Sequence, residues 1–182
     1  MFDEERFKLI ATKPYLRPIE HSDLNTIQKW RNDPDTLPLV REYRLLSHQH
    51  IESWYEQMSQ DHRFEMFMMQ GIASPVGVCG LTYINWQNRH ADLHFAIYKD
   101  CAWIDDVHAP YYYKLITEYA FDELNLNKIY VEMYNNDKKK ISFFKEKGFH
   151  QDAILRQHYY HKGEYMDAYI VSLLKDEFRR KI

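Results

Sequence analysis

The sequence holds 182 residues, a length that suits one domain over 1–182. Hydrophobic residues make up 45% of it, enough for a sizeable core, and the formal net charge of −3 argues against a broad nucleic-acid-binding surface. No apolar run approaches the ~20 residues of a membrane span, and the acidic opening MFDEERFKLI is not a secretory signal, so a cytoplasmic protein without membrane association is expected.

Tyr15–Ile19 reads as a short first strand, and Pro18 places it at an edge or a strand end. Ser22 is positioned to cap a helix in which Leu24, Ile27 and Trp30 recur at helical spacing, ending near Asn32-Asp33-Pro34. Ser47 suits the cap of a second helix, with Ile51, Trp54, Tyr55 and Met58 as its apolar stripe. The period then shortens. Arg63–Gln70 and Val76–Ile84 read as strands joined through a Ser74-Pro75 turn, and the polar turn Gln87–His90 leads to a third, Ala91–Tyr98. There Ala91, Leu93, Phe95 and Ile97 alternate with Asp92, His94 and Ala96. Short connections predict an antiparallel meander. Tyr112, Leu115, Ile116 and Tyr119 return to helical spacing, and that helix ends near Leu124-Asn125. Lys128–Tyr134 is a strand, and Ser142, Phe143 and Phe144 lie in a shorter helix stopped by Gly148. Phe149–Gln157 and Tyr165–Leu174 form a hairpin around His161-Lys162-Gly163-Glu164. The order β-α-α-β-β-β-α-β-α-β-β is that of a mixed α/β domain.

Little else in the sequence carries chemistry by itself. Cys79 and Cys101 have apolar or aromatic neighbours and no CxxC spacing, which fits buried free thiols in a reducing compartment. His48 with His50, and His158 with His161, lack the helical spacing of a zinc motif, so no metal site is expected.

Several segments, in order and spacing, carry a family resemblance. They are Tyr15-Leu16-Arg17-Pro18 with Asp23-Leu24 and Trp30-Arg31-Asn32-Asp33; Val76-Gly77-Val78-Cys79-Gly80-Leu81 with Ile84, Asn88, Arg89, Ala91 and Asp92; the block YAFDELNL from Tyr119 to Leu126; Lys145-Glu146-Lys147-Gly148-Phe149; and the Arg156 region with Gly163 and Asp167. Together they resemble the ribosomal-protein N-terminal acetyltransferase (Rim-type) branch of the GNAT superfamily, over nearly the whole chain. The resemblance implies an α/β (α+β) fold, with one mixed, mostly antiparallel twisted sheet of about seven strands flanked by about four helices. It implies transfer of an acetyl group from acetyl-CoA to a primary amine, on a protein N-terminus, a polyamine or an amino sugar. The partner it implies is a small-molecule or peptide amine acceptor; separately, the abundance of aromatic residues, at 16%, is compatible with a homodimer.

In that family the fourth strand offers its backbone to the pantetheine arm, which by position points to Leu93, Phe95, Ala96 and Ile97. The same residues also suit an ordinary central strand. A glycine-rich turn then opens the next helix, whose N–H groups bind the pyrophosphate. Counting back from Tyr119, the turn here holds Asp105, Asp106, Val107, His108, Ala109 and Pro110, with Val107, His108 and Ala109 as the implied contacts. The glycine positions fall on Asp105, Val107 and Ala109. Val107 resists a positive φ, Pro110 has no N–H to donate, and the two aspartates would repel a pyrophosphate unless a cation intervened.

Phe144 stands where the family often has a tyrosine general acid, and phenylalanine has no proton to give. Tyr159, Tyr160 and Tyr165 are alternatives to it, or plain core and interface residues. Asp92 matches a glutamate common in the branch. With His94 it forms the catalytic pair implied here, a base acting directly or through water, or else an ordinary sheet-face pair. Arg41 and Glu42 lie in the loop where the family gathers its acceptor, and Lys138–Lys140 could reach a phosphate; both also read as solvated surface charge. Two further readings stay open: a binding or assembly module of this fold that has lost catalysis, and an acyltransferase of this fold with another acyl donor.

Overall fold

The computed structural model describes residues 13–37, 44–98, 104–105, 107–161 and 163–180. Its strands are β1 (Tyr15–Pro18), β2 (Glu65–Gln70), β3 (Pro75–Asn85), β4 (His90–Ile97), β5 (Lys128–Tyr134), β6 (His150–His161) and β7 (Glu164–Leu174). Its α-helices are α1 (Leu24–Asn32), α2 (His48–Gln60), α3 (Ala109–Glu118), α4 (Lys138–Glu146) and α5 (Lys175–Arg179). The strands form a seven-stranded sheet in the order β1-β2-β3-β4-β5-β7-β6. β4 and β5 run parallel, as a connection through a helix requires. The expected mixed, mostly antiparallel sheet is therefore present. The helix α5 is additional to the predicted order.

Two compact units divide the chain: Met1–Gly80 with Phe95–Ile116, and Leu81–His94 with Thr117–Ile182. In the first, β1 pairs antiparallel with β2 from Tyr15↔Gln70 to Pro18↔Phe67. Arg17 on β1 reaches both oxygens of the Asp23 carboxylate, at 2.6 and 2.8 Å. That carboxylate also accepts the Glu20 N–H at 2.9 Å, closing the 3-10 turn His21–Asp23 that leads into α1. Asp23, one residue beyond the expected Ser22, therefore sets the helix entry. The Arg17 guanidinium outweighs burial and holds Asp23 below its ordinary carboxylate value.

Ser47 caps α2 as expected, its hydroxyl accepting the His50 N–H at 3.2 Å. Of the predicted stripe only Ile51 is buried; Trp54, Tyr55 and Met58 are intermediate. Trp30 of α1 stacks on Tyr98, with ring centroids 5.2 Å apart. Leu24, Met68, Met69, Val78 and Cys79 fill the core of this unit. Burial pushes the Cys79 thiol pKa up, so it stays protonated and inert. Gly77 matters for packing: a Cβ there would lie 2.2 Å from the Ala96 carbonyl oxygen. β3 can pass that close to β4 only because residue 77 has no side chain.

In the second unit, β5 pairs antiparallel with β7 from Lys128↔Leu174 to Tyr134↔Ala168, and β7 pairs with β6 through two register shifts. The end of α3 widens into a π turn, Tyr119–Glu123, where the Leu124 N–H reaches back to the Tyr119 carbonyl at 3.0 Å. Asn125 then takes a positive φ of 52°, which ends the helix where the sequence predicts. Phe121 packs on Phe178 of α5 at 5.2 Å. Gly148 has a φ of 92°, and the Phe149 N–H bonds the Phe144 carbonyl at 3.0 Å, so the glycine stop of α4 is as expected.

Candidate functional site

β4 is buried on both faces: Leu93, Phe95, Ala96 and Ile97 are all nearly inaccessible, and so is Asp92, at 4% exposure. A carboxylate buried to that extent in a strand needs partners or a function. The parallel ladder with β5 covers His90↔Lys128, Ala91↔Ile129 and Asp92↔Tyr130. Side chains alternate along a strand, so His90, Asp92 and His94 share one face of β4, and Tyr130, Glu132 and Tyr134 share the matching face of β5. Asp92 and His94, the sequence-predicted pair, therefore face the same way. The register adds Glu132 to that face, a residue the sequence reading passed over. The signal was present in KIYVEMY, where Glu132 interrupts an otherwise apolar and aromatic strand interior.

The turn before α3 departs further from a glycine cradle than the sequence implies. One oxygen of Asp105 accepts the backbone N–H groups of His108, at 2.5 Å, and Ala109, at 3.0 Å. Its other oxygen lies 2.7 Å from Nδ1 of His108. Burial works against the charged carboxylate, but the His108 side chain and the two N–H groups outweigh it and hold its pKa below the ordinary carboxylate value. Asp105 is thus an internal anion seated on the helix N-terminus, not simply a source of repulsion. Pro110 brings no N–H. Val107 is 77% exposed and is not among the residues with positive φ. As folded, this turn does not fit a diphosphate, because the groups that would receive it are already engaged. Asp106 lies outside the described residues, as do Arg41 and Glu42 in the predicted acceptor loop and Cys101.

A direct test is Asp105→Gly. The variant should lose only a few tenths of a kcal/mol of stability with the cap, and should bind acetyl-CoA at least several-fold more tightly in calorimetric titration. Unchanged affinity would mean that the diphosphate is received elsewhere. The capping contribution also has a pH signature. Because the folded pKa of Asp105 is lowered, its stabilisation is present above the unfolded value of ~3.9 and is lost as pH falls through the folded one. The stability difference between wild type and Asp105→Asn should therefore be flat above about pH 5 and shrink below it.

Phe144, where the family's acid would stand, is fully buried and packs edge-on against Phe143 and Phe149, at 5.3 and 4.9 Å. Of the tyrosines weighed in its place, Tyr160 and Tyr165 are exposed at the hairpin end and contact each other at 5.0 Å. Tyr159 instead donates its hydroxyl to Glu132. The lysine run opens α4 behind the Asp137 cap, with Lys138 and Lys139 exposed. His48 pairs with Glu52 at 3.3 Å within α2, and His158 pairs with Glu132 at the same distance.

Comparison with known proteins bears on the whole chain. An uncharacterized N-acetyltransferase p20 of Bacillus licheniformis is 28% identical over 119 residues, which is 65% of either protein. The spermidine N(1)-acetyltransferase of Escherichia coli is 22% identical over 163 residues, 90% of this chain and 87% of the relative. The crystal structure of spermidine N-acetyltransferase from Vibrio cholerae, in complex with CoA and spermine, superposes with a TM-score of 0.85 at 23% identity, covering 92% of this chain and 98% of that one. The family model for the acetyltransferase (GNAT) domain matches residues 16–170. With that match spanning most of its length, the chain belongs to the GNAT acetyltransferase domain family.

Proposed function

We propose that this protein is an N-acetyltransferase that moves an acetyl group from acetyl-CoA to a primary amine of the polyamine class. The observation that carries the reading is Asp92, a nearly inaccessible carboxylate on β4 of a GNAT domain, on the same sheet face as Glu132. Acetyl-CoA, when bound, supplies an acetyl group activated as a thioester. An amine attacks only when unprotonated, so a base must take its proton. Asp92 takes that role, directly or through one water, and His94 on the same face relays or substitutes. Leu93, Phe95, Ala96 and Ile97 are the proposed strand edge for the pantetheine arm. Val107, His108 and Ala109 are the proposed diphosphate contacts, provided Asp105 leaves the helix end.

The names of two relatives favour a polyamine over a protein N-terminus, although the sequence motifs resemble the ribosomal-protein branch. The single family match runs through both compact units, which supports one catalytic domain over 1–182. Among the described residues no helix is long and apolar enough to cross a membrane. We place the protein in the cytoplasm, supported by the buried free thiol of Cys79. We expect a homodimer, with the exposed Tyr160 and Tyr165 as interface candidates.

A second reading, a domain of this fold that binds without turnover or uses another acyl donor, is favoured by two observations. These are the Asp105 carboxylate on the α3 N-terminus and the buried Phe144. One experiment separates the two readings: incubation with acetyl-CoA and spermidine, followed by mass spectrometry, alongside calorimetric titration with acetyl-CoA. Acetylated spermidine is the expected product. Failure of acetyl-CoA to bind at high micromolar protein would sink the first reading, and binding of a longer acyl-CoA instead would establish the second.

A further inference from the structure

Glu132 sits two residues along β5 from Tyr130, the register partner of Asp92, so the two carboxylates lie on one sheet face. The two residues of β5 advance it by roughly 6.6 Å along the strand. Its side chain is only 18% exposed. Three groups frame it. The Tyr159 hydroxyl donates to Glu132 Oε1. Nε2 of His158 lies 3.3 Å from the same oxygen. The ring of Tyr134 meets that of Tyr159 edge-on at 4.5 Å.

In a regular strand the consecutive residues His158 and Tyr159 would point to opposite faces. Here a register shift between Leu155 and Tyr159 turns both toward Glu132. The shift is pinned: Gln157 holds a positive φ of 50°, and its N–H donates to Asp167 Oδ1 at 2.8 Å. An open groove of about 690 Å³ lies against the same bulge, lined by Ile154, Leu155, Arg156, Gln157, His158 and Asp167. His158 both lines this groove and reaches Glu132, so the carboxylate lies just behind the groove wall. A carboxylate held by a tyrosine hydroxyl beside a histidine suits an ammonium group, which gains from the negative charge.

We propose that Glu132, framed by Tyr134, His158 and Tyr159, binds a cationic, non-reacting ammonium group of the amine acceptor. The site thereby selects acceptors that carry a second positive charge. This rests on the reading of the protein as acting on a polyamine-class amine.

The test is calorimetric titration of the full chain with spermidine alone, in wild type, Glu132→Gln and Tyr159→Phe. Glu132→Gln keeps the shape and the acceptor for the Tyr159 hydroxyl, and removes the charge. It should weaken spermidine binding at least tenfold while leaving the melting temperature in place. Tyr159→Phe removes a donor that competes for the carboxylate and should tighten binding; should the glutamine variant fail to fold, this second variant decides. In turnover, KM for spermidine should rise in Glu132→Gln while KM for a primary monoamine stays as in wild type. Equal spermidine affinity in wild type and Glu132→Gln, or no spermidine binding by wild type, overturns the inference. Glu132-dependent binding without acetyl transfer would leave the inference standing and sink the proposed activity instead.

Discussion

Asp92→Asn should lower turnover with an amine acceptor by on the order of 10²–10⁴-fold, the usual worth of a positioned general base. The melting temperature should move by no more than about 2 °C. The substitution is nearly isosteric, and the residue is buried at 4% exposure, so shape and packing are kept while charge and proton affinity are lost. A base acting at this position also predicts that the acidic limb of the kcat/KM profile disappears in the variant. Asp92→Glu should recover part of the activity. A melting temperature that falls together with turnover would instead assign Asp92 a structural role on β4.

Phe144→Ala should cost about 3–5 kcal/mol, the range for emptying a buried phenylalanine site. The ring is completely inaccessible and sits between Phe143 and Phe149, while its carbonyl accepts the Phe149 N–H that closes α4. At about 2–4 °C per kcal/mol for a protein of this size, the melting temperature should fall by roughly 6–20 °C. Phe144→Tyr tests the chemistry at the same position. A hydroxyl added there enters a packed aromatic cluster, so it should cost about 1–3 kcal/mol and give no gain in turnover. Urea unfolding and a turnover assay on both variants check these outcomes. Faster turnover in Phe144→Tyr would show that the position faces the reaction.

The elements that local chemistry marks were legible in the sequence. The bounds of β5 follow from an alternating strand pattern between Asn127 and Asn135. The stop of α4 follows from a glycine that can take a positive φ. The entry to α1 was misplaced by one residue: Asp23 holds the position before the helix, and its carboxylate turns back to Arg17 and the Glu20 N–H instead of capping the helix. The turn before α3 was read through the glycines it lacks. What it does instead was foreseeable: an aspartate three and four residues ahead of two free N–H groups can satisfy both. Glu132 was missed for another reason. Its partners lie across a strand irregularity, and a β-bulge leaves no periodic trace in sequence.

The carboxylate on the first turn of α3 has a kinetic consequence. In the proposed binding mode a diphosphate arriving at this turn meets a seat that is already taken, so its arrival would be an exchange of one anion for another. Only the fraction of molecules with Asp105 released would then be competent, and the apparent dissociation constant would exceed the intrinsic one by the inverse of that fraction. In stopped-flow mixing the observed rate should then level off at high ligand, at the rate of carboxylate release, and Asp105→Gly should restore a linear dependence on concentration.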